Sequence, residues 1–208
     1  AQPVDKMFTV HAGYSSIAEY AIEQLYRDER VQRIWEGTNE INRLLIPVTY
    51  LRRGLNLHLS CGEAAADEQF CEEKNLLAHF KKIFSELINK ASEVYGQDIP
   101  LEQEILLTLA DMAIQIFALE SAVLRAEKAL RDESNGRVQE YDSITRVCAF
   151  EMRRLFVAAA EKCCAFLGSD AVGHDINMPV YRANGLLSDK KLFAEATTEA
   201  ENYIFHRV

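Results

Sequence analysis

The sequence predicts an all-α protein, built as an antiparallel helical bundle. Over several long stretches, apolar residues recur at three- and four-residue steps, the period of an amphipathic helix. Only 9 Gly and 4 Pro occur in 208 residues, which is few for a chain made of short strands and tight turns. No segment with strand-like alternation is joined to another by a hairpin signal.

Long helices account for most of the second half of the chain. Gly96 and Gly168 interrupt the helical pattern where a helix end is expected, and Asn135-Gly136 is a turn signal between two apolar stretches. The helices predicted in this half are Leu76–Ala91, Leu101–Leu130, Tyr141–Leu167 and Asp189–Tyr203.

The first 55 residues are predicted to form a separate helical block. One helix is expected over Ser16–Arg27, and a second begins near Thr38, a suitable N-cap, and ends by Arg53. The polar, acidic stretch that follows is interpreted as a linker. The predicted domains are therefore residues 1–55, a linker over residues 56–74, and residues 75–208.

Composition excludes several classes of function. Lys and Arg total 23 against 32 Asp and Glu, a net charge of −9, which disfavours a nucleic-acid-binding protein. No run of 18 apolar residues is present, so no transmembrane helix is expected. The 5 Cys show no CxxC pair and the 5 His are scattered, so no metal site is predicted. Cys148, Cys163 and Cys164 lie in apolar helical surroundings and are expected to act as small buried hydrophobes.

One ordered motif carries residues suited to chemistry. It reads YRDERVQRIWEGTNEINRLLIP and covers residues 26–47. Glu36 follows the apolar pair Ile34-Trp35 and precedes Gly37, which allows a sharp turn and a close approach to the backbone. A carboxylate shielded from water at such a junction becomes a stronger base, suited to a weakly acidic proton.

This motif resembles the C-terminal signature of the acyl-CoA dehydrogenases, over about 25 residues without a gap. The resemblance implies an FAD enzyme in which Glu36 takes the α-proton of an acyl-CoA thioester while hydride leaves the β-carbon for the flavin. It further implies that Gly37 lies against the substrate and that Thr38, Asn39 and Glu40 begin a helix that contacts FAD. Gly13 is the clear remnant of a glycine loop that helps to hold FAD in this family.

Further expectations follow from the same resemblance. Residues 75–208 resemble the extra C-terminal helical domain of the very-long-chain branch, which implies a homo-oligomer, most simply a dimer. The implied partners are acyl-CoA and electron-transfer flavoprotein, and the implied location is the bacterial cytoplasm or the mitochondrial matrix, both reducing compartments that suit free cysteines.

The chain is also expected to be a piece of something longer. It begins at Ala1, and the family's N-terminal and middle domains have no counterpart in it, so the isolated chain is expected to be inactive. The alternative is a non-catalytic helical dimerisation or assembly module that retains the signature. A helix–turn–helix with a solvated charged face would explain the motif without any chemistry.

Overall fold

The computed structural model describes residues 2–54, 69–131 and 138–168, and every regular element in these ranges is helical. This confirms the predicted all-α class. The α-helices are α1 (Gln2–Val10), α2 (Ala21–Gln32), α3 (Asn39–Arg53), α4 (Cys71–Tyr95), α5 (Gln103–Arg131) and α6 (Val138–Leu167). The predicted helix Asp189–Tyr203 lies outside the described residues.

The chain divides into two compact units, residues 1–46 and residues 47–208. The division falls inside α3, at Pro47. The domain limits expected from the sequence, at residues 55 and 75, stay predictions.

In the first unit, α1 packs along α2. The rings of Phe8 and Tyr26 are in contact, tilted by 35° with centroids 4.4 Å apart, and Arg30 donates a hydrogen bond to the Asp5 carboxylate at 2.8 Å. The Arg30 guanidinium also lies 4.7 Å from the centre of the Tyr26 ring. The sequence pattern missed α1, because a helix of 9 residues is stabilised by packing on its neighbour rather than by its own propensity.

Helix α2 lies later in the chain than the predicted Ser16–Arg27. The Ser15 hydroxyl donates to the Ala12 carbonyl within a short 3₁₀ helix over Ala12–Ser16, so the serines form a turn rather than a helix cap. Tyr20 is extended, with φ −98° and ψ 129°, and α2 begins at the next residue.

The end of α2 also differs from the prediction. The helix continues past Arg27 to Gln32. Glu29 accepts two hydrogen bonds from Arg33 across one helical turn, at 2.9 and 2.8 Å, and such pairs stabilise helices.

The second unit contains a three-helix bundle. Lys74 pairs with Glu127 at 2.7 Å and Lys81 with Glu120 at 2.6 Å. Residue numbers therefore rise along α4 as they fall along the facing side of α5, so the two helices are antiparallel. The short 3₁₀ turn Gly96–Leu101 joins them.

Helix α6 returns antiparallel to α5 and parallel to α4. Glu104, near the start of α5, lies 3.5 Å from Lys162, near the end of α6. Phe80 stacks on Phe156 with centroids 4.0 Å apart. At the C-terminal ends of both helices, the Tyr95 hydroxyl donates to the Phe166 carbonyl at 3.5 Å. The predicted antiparallel bundle is confirmed.

The core of this bundle lies between the three helices. The predicted helical spacing placed the buried side chains correctly along α4 and α5, and these residues are withdrawn almost fully from solvent. The largest fully buried side chains of α4 and α5, together with Phe156 of α6, are Leu76, Phe80, Leu87, Ile88, Ile105, Leu106, Leu109, Met112 and Leu119.

Helix α4 begins inside the segment interpreted as a linker. It starts at Cys71 rather than after Lys74. Glu72 and Glu73 occupy its first turn, where negative side chains favour the positive end of the helix dipole. The acidic character that indicated a linker is therefore, over these residues, the start of a helix.

Helix α5 is, among the described helices, the one long and apolar enough to cross a membrane by length and composition. Because it lacks an uninterrupted apolar run, the sequence predicts no helix of this kind. The two results differ because Asp111 and Glu120 interrupt a stretch that is apolar on average. Of its most apolar 18-residue window, 44% is buried inside the bundle. Packing against α4 and α6 therefore accounts for part of that apolar character.

Candidate functional site

The candidate site is the connection between α2 and α3. Its ends are held together because the Asn39 N–H donates to the Arg33 carbonyl at 3.1 Å. The Trp35 N–H also reaches back to the Val31 carbonyl at 3.4 Å. Five of the six site residues predicted from the sequence lie here, namely Glu36, Gly37, Thr38, Asn39 and Glu40.

Two consecutive residues of this turn adopt left-handed backbone conformations. Glu36 has φ +57° and Gly37 has φ +88°. The left-handed region costs an L-residue about 1–2 kcal/mol, so the fold holds Glu36 in a strained conformation. Strain of this kind clusters at functional sites.

Gly37 is required sterically as well as conformationally. A Cβ at this position would lie 2.8 Å from Oδ1 of Asn42, closer than non-bonded atoms approach. The sharp turn that the sequence predicts at Gly37 is thus present, with Asn42 closing its inner side. The contact of Gly37 with a substrate stays a prediction.

The candidate base directly follows two exposed apolar residues. Glu36 is exposed, and the two residues before it are also open to solvent, with Ile34 69% and Trp35 60% exposed. A patch of exposed apolar side chains commonly marks a surface that a ligand or another part of a protein covers. An apolar acyl chain or another part of a larger protein would, in covering them, remove water from the neighbouring carboxylate.

The first turn of α3 already holds a carboxylate. The Ile41 N–H donates to the Thr38 hydroxyl oxygen at 3.4 Å, which confirms Thr38 as the cap. The pKa of Glu40 is held below its ordinary value of 4.5, first by its own backbone N–H and then by the Thr38 hydroxyl. The Glu40 carboxylate therefore places a negative charge at this helix start.

Gly13 is placed elsewhere. It lies in the 3₁₀ helix between α1 and α2, whereas the other five residues lie at the end of the α2–α3 connection and in the first turn of α3. A Cβ on Gly13 would meet nothing within 4 Å, so nothing in the described part of the chain requires a glycine there. The preceding Ala12 has the left-handed φ of +49°.

Sequence reasoning missed Asn42. Its amide nitrogen donates to the Gly37 carbonyl at 2.8 Å, and its own N–H donates to the Thr38 carbonyl at 2.9 Å. The sequence does place Asn42 four residues after the helix cap Thr38. That position lies on the first turn of α3, from which a side chain can reach the Gly37 carbonyl.

No group of His, Cys, Asp and Glu suited to a metal occurs among residues 2–54, 69–131 and 138–168. The four cysteines in these ranges are free. Cys163 is fully buried, and burial raises the pKa of its thiol to about 12. Cys148 and Cys164 are partly exposed, so the expectation of a buried hydrophobe holds in full for Cys163 alone.

Two family models with the same description match parts of this chain. Residues 2–49 and residues 79–174 each match a family model described as the C-terminal domain of acyl-CoA dehydrogenase. A probable acyl-CoA dehydrogenase of Bacillus subtilis (strain 168) is 40% identical over 142 residues, which is 61% of this chain and 24% of the relative.

Two further comparisons agree. A crystal structure of an acyl-CoA dehydrogenase complexed with FAD from Bacillus anthracis superposes with a TM-score of 0.77 at 31% identity, covering 94% of this chain and 36% of that one. A caffeyl-CoA reductase–Etf complex subunit of Acetobacterium woodii is 40% identical over 48 residues, 23% of this chain and 13% of the relative. The chain thus spans 24% of the length of the Bacillus subtilis relative and 36% of the Bacillus anthracis protein.

Proposed function

With acyl-CoA dehydrogenase C-terminal sequence in both of its units, we propose that this chain is the C-terminal part of a longer FAD-dependent enzyme that dehydrogenates acyl-CoA thioesters. The observation that carries the proposal is the turn at Glu36-Gly37. There a strained backbone presents a carboxylate beside exposed apolar surface. The remainder of the substrate and flavin sites would come from the rest of the longer protein, so the isolated chain is expected to be inactive.

In this proposal Glu36 is the base. An acyl chain covering Ile34 and Trp35 would exclude water from the carboxylate, which favours uptake of a proton. Glu36 would take the α-proton of the thioester, and Gly37, which has no side chain, would let the thioester approach the backbone. Bound FAD would accept the hydride from the β-carbon, and the product would be the 2-enoyl thioester.

FAD fits this chain in a restricted way. The FAD complex of the Bacillus anthracis relative supports use of this cofactor. Thr38, Asn39 and Glu40 would contact it from the start of α3, through their hydroxyl, amide and backbone groups. The Glu40 carboxylate lies in the same turn, so a cofactor held here would lie near a negative charge. Gly13 is proposed as a further contact on the sequence resemblance alone.

Electron-transfer flavoprotein is the proposed electron acceptor. The name of the Acetobacterium woodii relative includes an Etf complex, which supports an acceptor of this class. Acyl-CoA is the proposed substrate, and we place the enzyme in fatty acid β-oxidation. We locate it in a bacterial cytoplasm or a mitochondrial matrix, where the four described free cysteines would stay reduced.

The bundle of the second unit is proposed to serve homodimerisation, as in the very-long-chain branch that it resembles. Helix α5 carries an exposed apolar stripe made of Ile114, Phe117 and Leu124, of which Phe117 is 72% and Leu124 59% exposed. The acidic start of α5 and its basic end would meet if two copies paired antiparallel about a two-fold axis. That is the commonest symmetry of homo-oligomers.

The dimer proposal is tested by replacing Phe117 with Asp. A charge in the middle of the stripe would prevent apolar pairing, while the fold would persist because the side chain is exposed. Sedimentation at micromolar concentration should show a dimer for the unaltered chain and a monomer for Phe117→Asp. A monomer of 23.6 kDa for the unaltered chain would contradict the proposal.

The catalytic proposal is tested by Glu36→Gln in the longer enzyme. The substitution keeps the shape and removes the base, so flavin reduction by acyl-CoA should slow by at least about 100-fold while FAD stays bound. Glu161→Gln is the matched control, because Glu161 is exposed near the end of α6 and has no proposed role. Near-normal flavin reduction in Glu36→Gln would refute the assignment, and a colourless longer protein would favour the non-catalytic assembly module instead.

A further inference from the structure

We infer that Asn42 is a positioning residue for the candidate base, acting through the Gly37 peptide. The inference rests on the proposed function, because it concerns the direction in which Glu36 points. The Asn42 side chain closes the inner side of the left-handed turn. The Asn42 side-chain nitrogen lies 2.8 Å from the Gly37 carbonyl oxygen, and its Oδ1 occupies the space of a Gly37 Cβ.

Asn42 is itself fixed by helix α3. Its N–H donates to the Thr38 carbonyl at 2.9 Å, and Thr38 caps the helix by accepting from the Ile41 N–H. The amide of Asn42 is therefore presented from a regular helical turn rather than from a loop. Such a support holds a neighbouring group to a narrower range of orientations.

The Gly37 peptide needs this support. Glu36 and Gly37 both have positive φ, and a glycine has more conformational freedom than any other residue. Without a donor on its carbonyl, the peptide after Gly37 could rotate, and the strain at Glu36 could relax into an ordinary conformation. The Glu36 carboxylate would then leave its position.

The consequence for catalysis is specific. A displacement of about 1 Å between a base and its proton costs up to about 100-fold in rate, whereas binding of the acyl chain depends on apolar surface that Asn42 does not form. Loss of the Asn42 hydrogen bond should therefore lower the rate of α-proton removal and leave KM for acyl-CoA within about threefold.

The test uses Asn42→Asp, which keeps the size of the side chain and removes the donor. An acidic residue near a helix start does not weaken the helix, so the variant should fold. Asn89→Asp, at an exposed position of α4, is the matched control. In the longer enzyme, Asn42→Asp should lower the rate of flavin reduction about 10- to 100-fold, and Asn89→Asp should leave it unchanged.

A double substitution separates positioning from a general structural defect. If Asn42 acts through Glu36, adding Asn42→Asp to Glu36→Gln should cause less than about a twofold further loss. Independent, multiplied losses would overturn the inference, and so would an unchanged rate in Asn42→Asp alone.

The inference and the proposed function can fail separately. Backbone hydrogen exchange of residues 36–38 in the 208-residue chain should accelerate in Asn42→Asp and not in Asn89→Asp. If the unaltered longer enzyme does not remove the α-proton, the proposed function is wrong. The backbone hydrogen exchange of residues 36–38 still decides whether Asn42 holds the turn. Unaltered exchange in Asn42→Asp would overturn the inference even if the enzyme proves to be a dehydrogenase.

Discussion

Truncating Leu109 to Ala should destabilise the three-helix bundle by about 3–4 kcal/mol. Leu109 is fully withdrawn from solvent in the helix that contacts both α4 and α6. The substitution removes three carbon atoms, and at about 0.8 kcal/mol for each buried carbon the transfer loss is about 2.4 kcal/mol. The cavity left among neighbouring side chains adds about 1 kcal/mol or more, because such sites close only partly.

The matched control is Leu101→Ala. Leu101 is the same residue type, lies at the start of the same region and is 75% exposed. Its truncation should change the free energy of unfolding by less than about 0.5 kcal/mol. Urea unfolding followed by circular dichroism, with all proteins at one concentration, measures both values. Equal losses in the two variants would refute the bundle core assigned here, because they would show that Leu109 is no more enclosed than Leu101.

Two further predictions concern the thiols and the turn. Cys163 should resist alkylation at pH 8 in the folded chain and react after unfolding, because burial raises the pKa of its thiol from 9.0 to about 12. Mass spectrometry of the labelled chain measures this reaction, and alkylation of Cys163 in the folded chain would contradict the prediction. The folded state therefore favours the protonated thiol. The stability that this thiol contributes is complete below pH 9.0 and is lost as the pH rises towards about 12. Gly37→Ala should destabilise the first unit by about 1–2 kcal/mol. Gly13→Ala should leave its stability unchanged, because a Cβ at Gly13 meets no neighbour within 4 Å. Similar melting temperatures for the two variants would show that the left-handed turn does not contribute to the stability of the first unit.

The bundle was largely predictable from sequence because its information is local and periodic. Apolar side chains at three- and four-residue steps mark the buried faces of α4 and α5, and residues such as Phe80 and Leu109 are buried as that spacing predicts. Glycine marks the end of α4, since Gly96 has a left-handed φ of +52°. What periodicity could not give is the contact of Phe80 with Phe156, which depends on how two distant helices pack.

The first unit was predicted less well because its helices depend on contacts between them. Helix α1 is held by Phe8 and Asp5 against α2, and neither residue forms a periodic pattern by itself. The start of α2 depends on Ser15, whose hydroxyl bonds to the backbone inside a turn. A serine before an apolar stretch is equally suited to a helix cap, so the sequence left the choice open.

The candidate site was identified by its motif, and its geometry was not. The order of Glu36, Gly37 and Thr38 predicted a turn followed by a capped helix, and the structure has both. The positive φ of Glu36 and the role of Asn42 could not be read from the sequence, because they arise from side-chain to backbone contacts within the folded turn.

The most direct test of the central claim is α-proton exchange in the longer enzyme. An acyl-CoA analogue with sulfur in place of the β-carbon cannot lose hydride there, so in heavy water it reports proton removal alone. The unaltered enzyme should incorporate deuterium at the α-position, and Glu36→Gln should reduce the rate by at least about 100-fold. Equal exchange in the two proteins would contradict the account, because it would show that the base lies outside this turn.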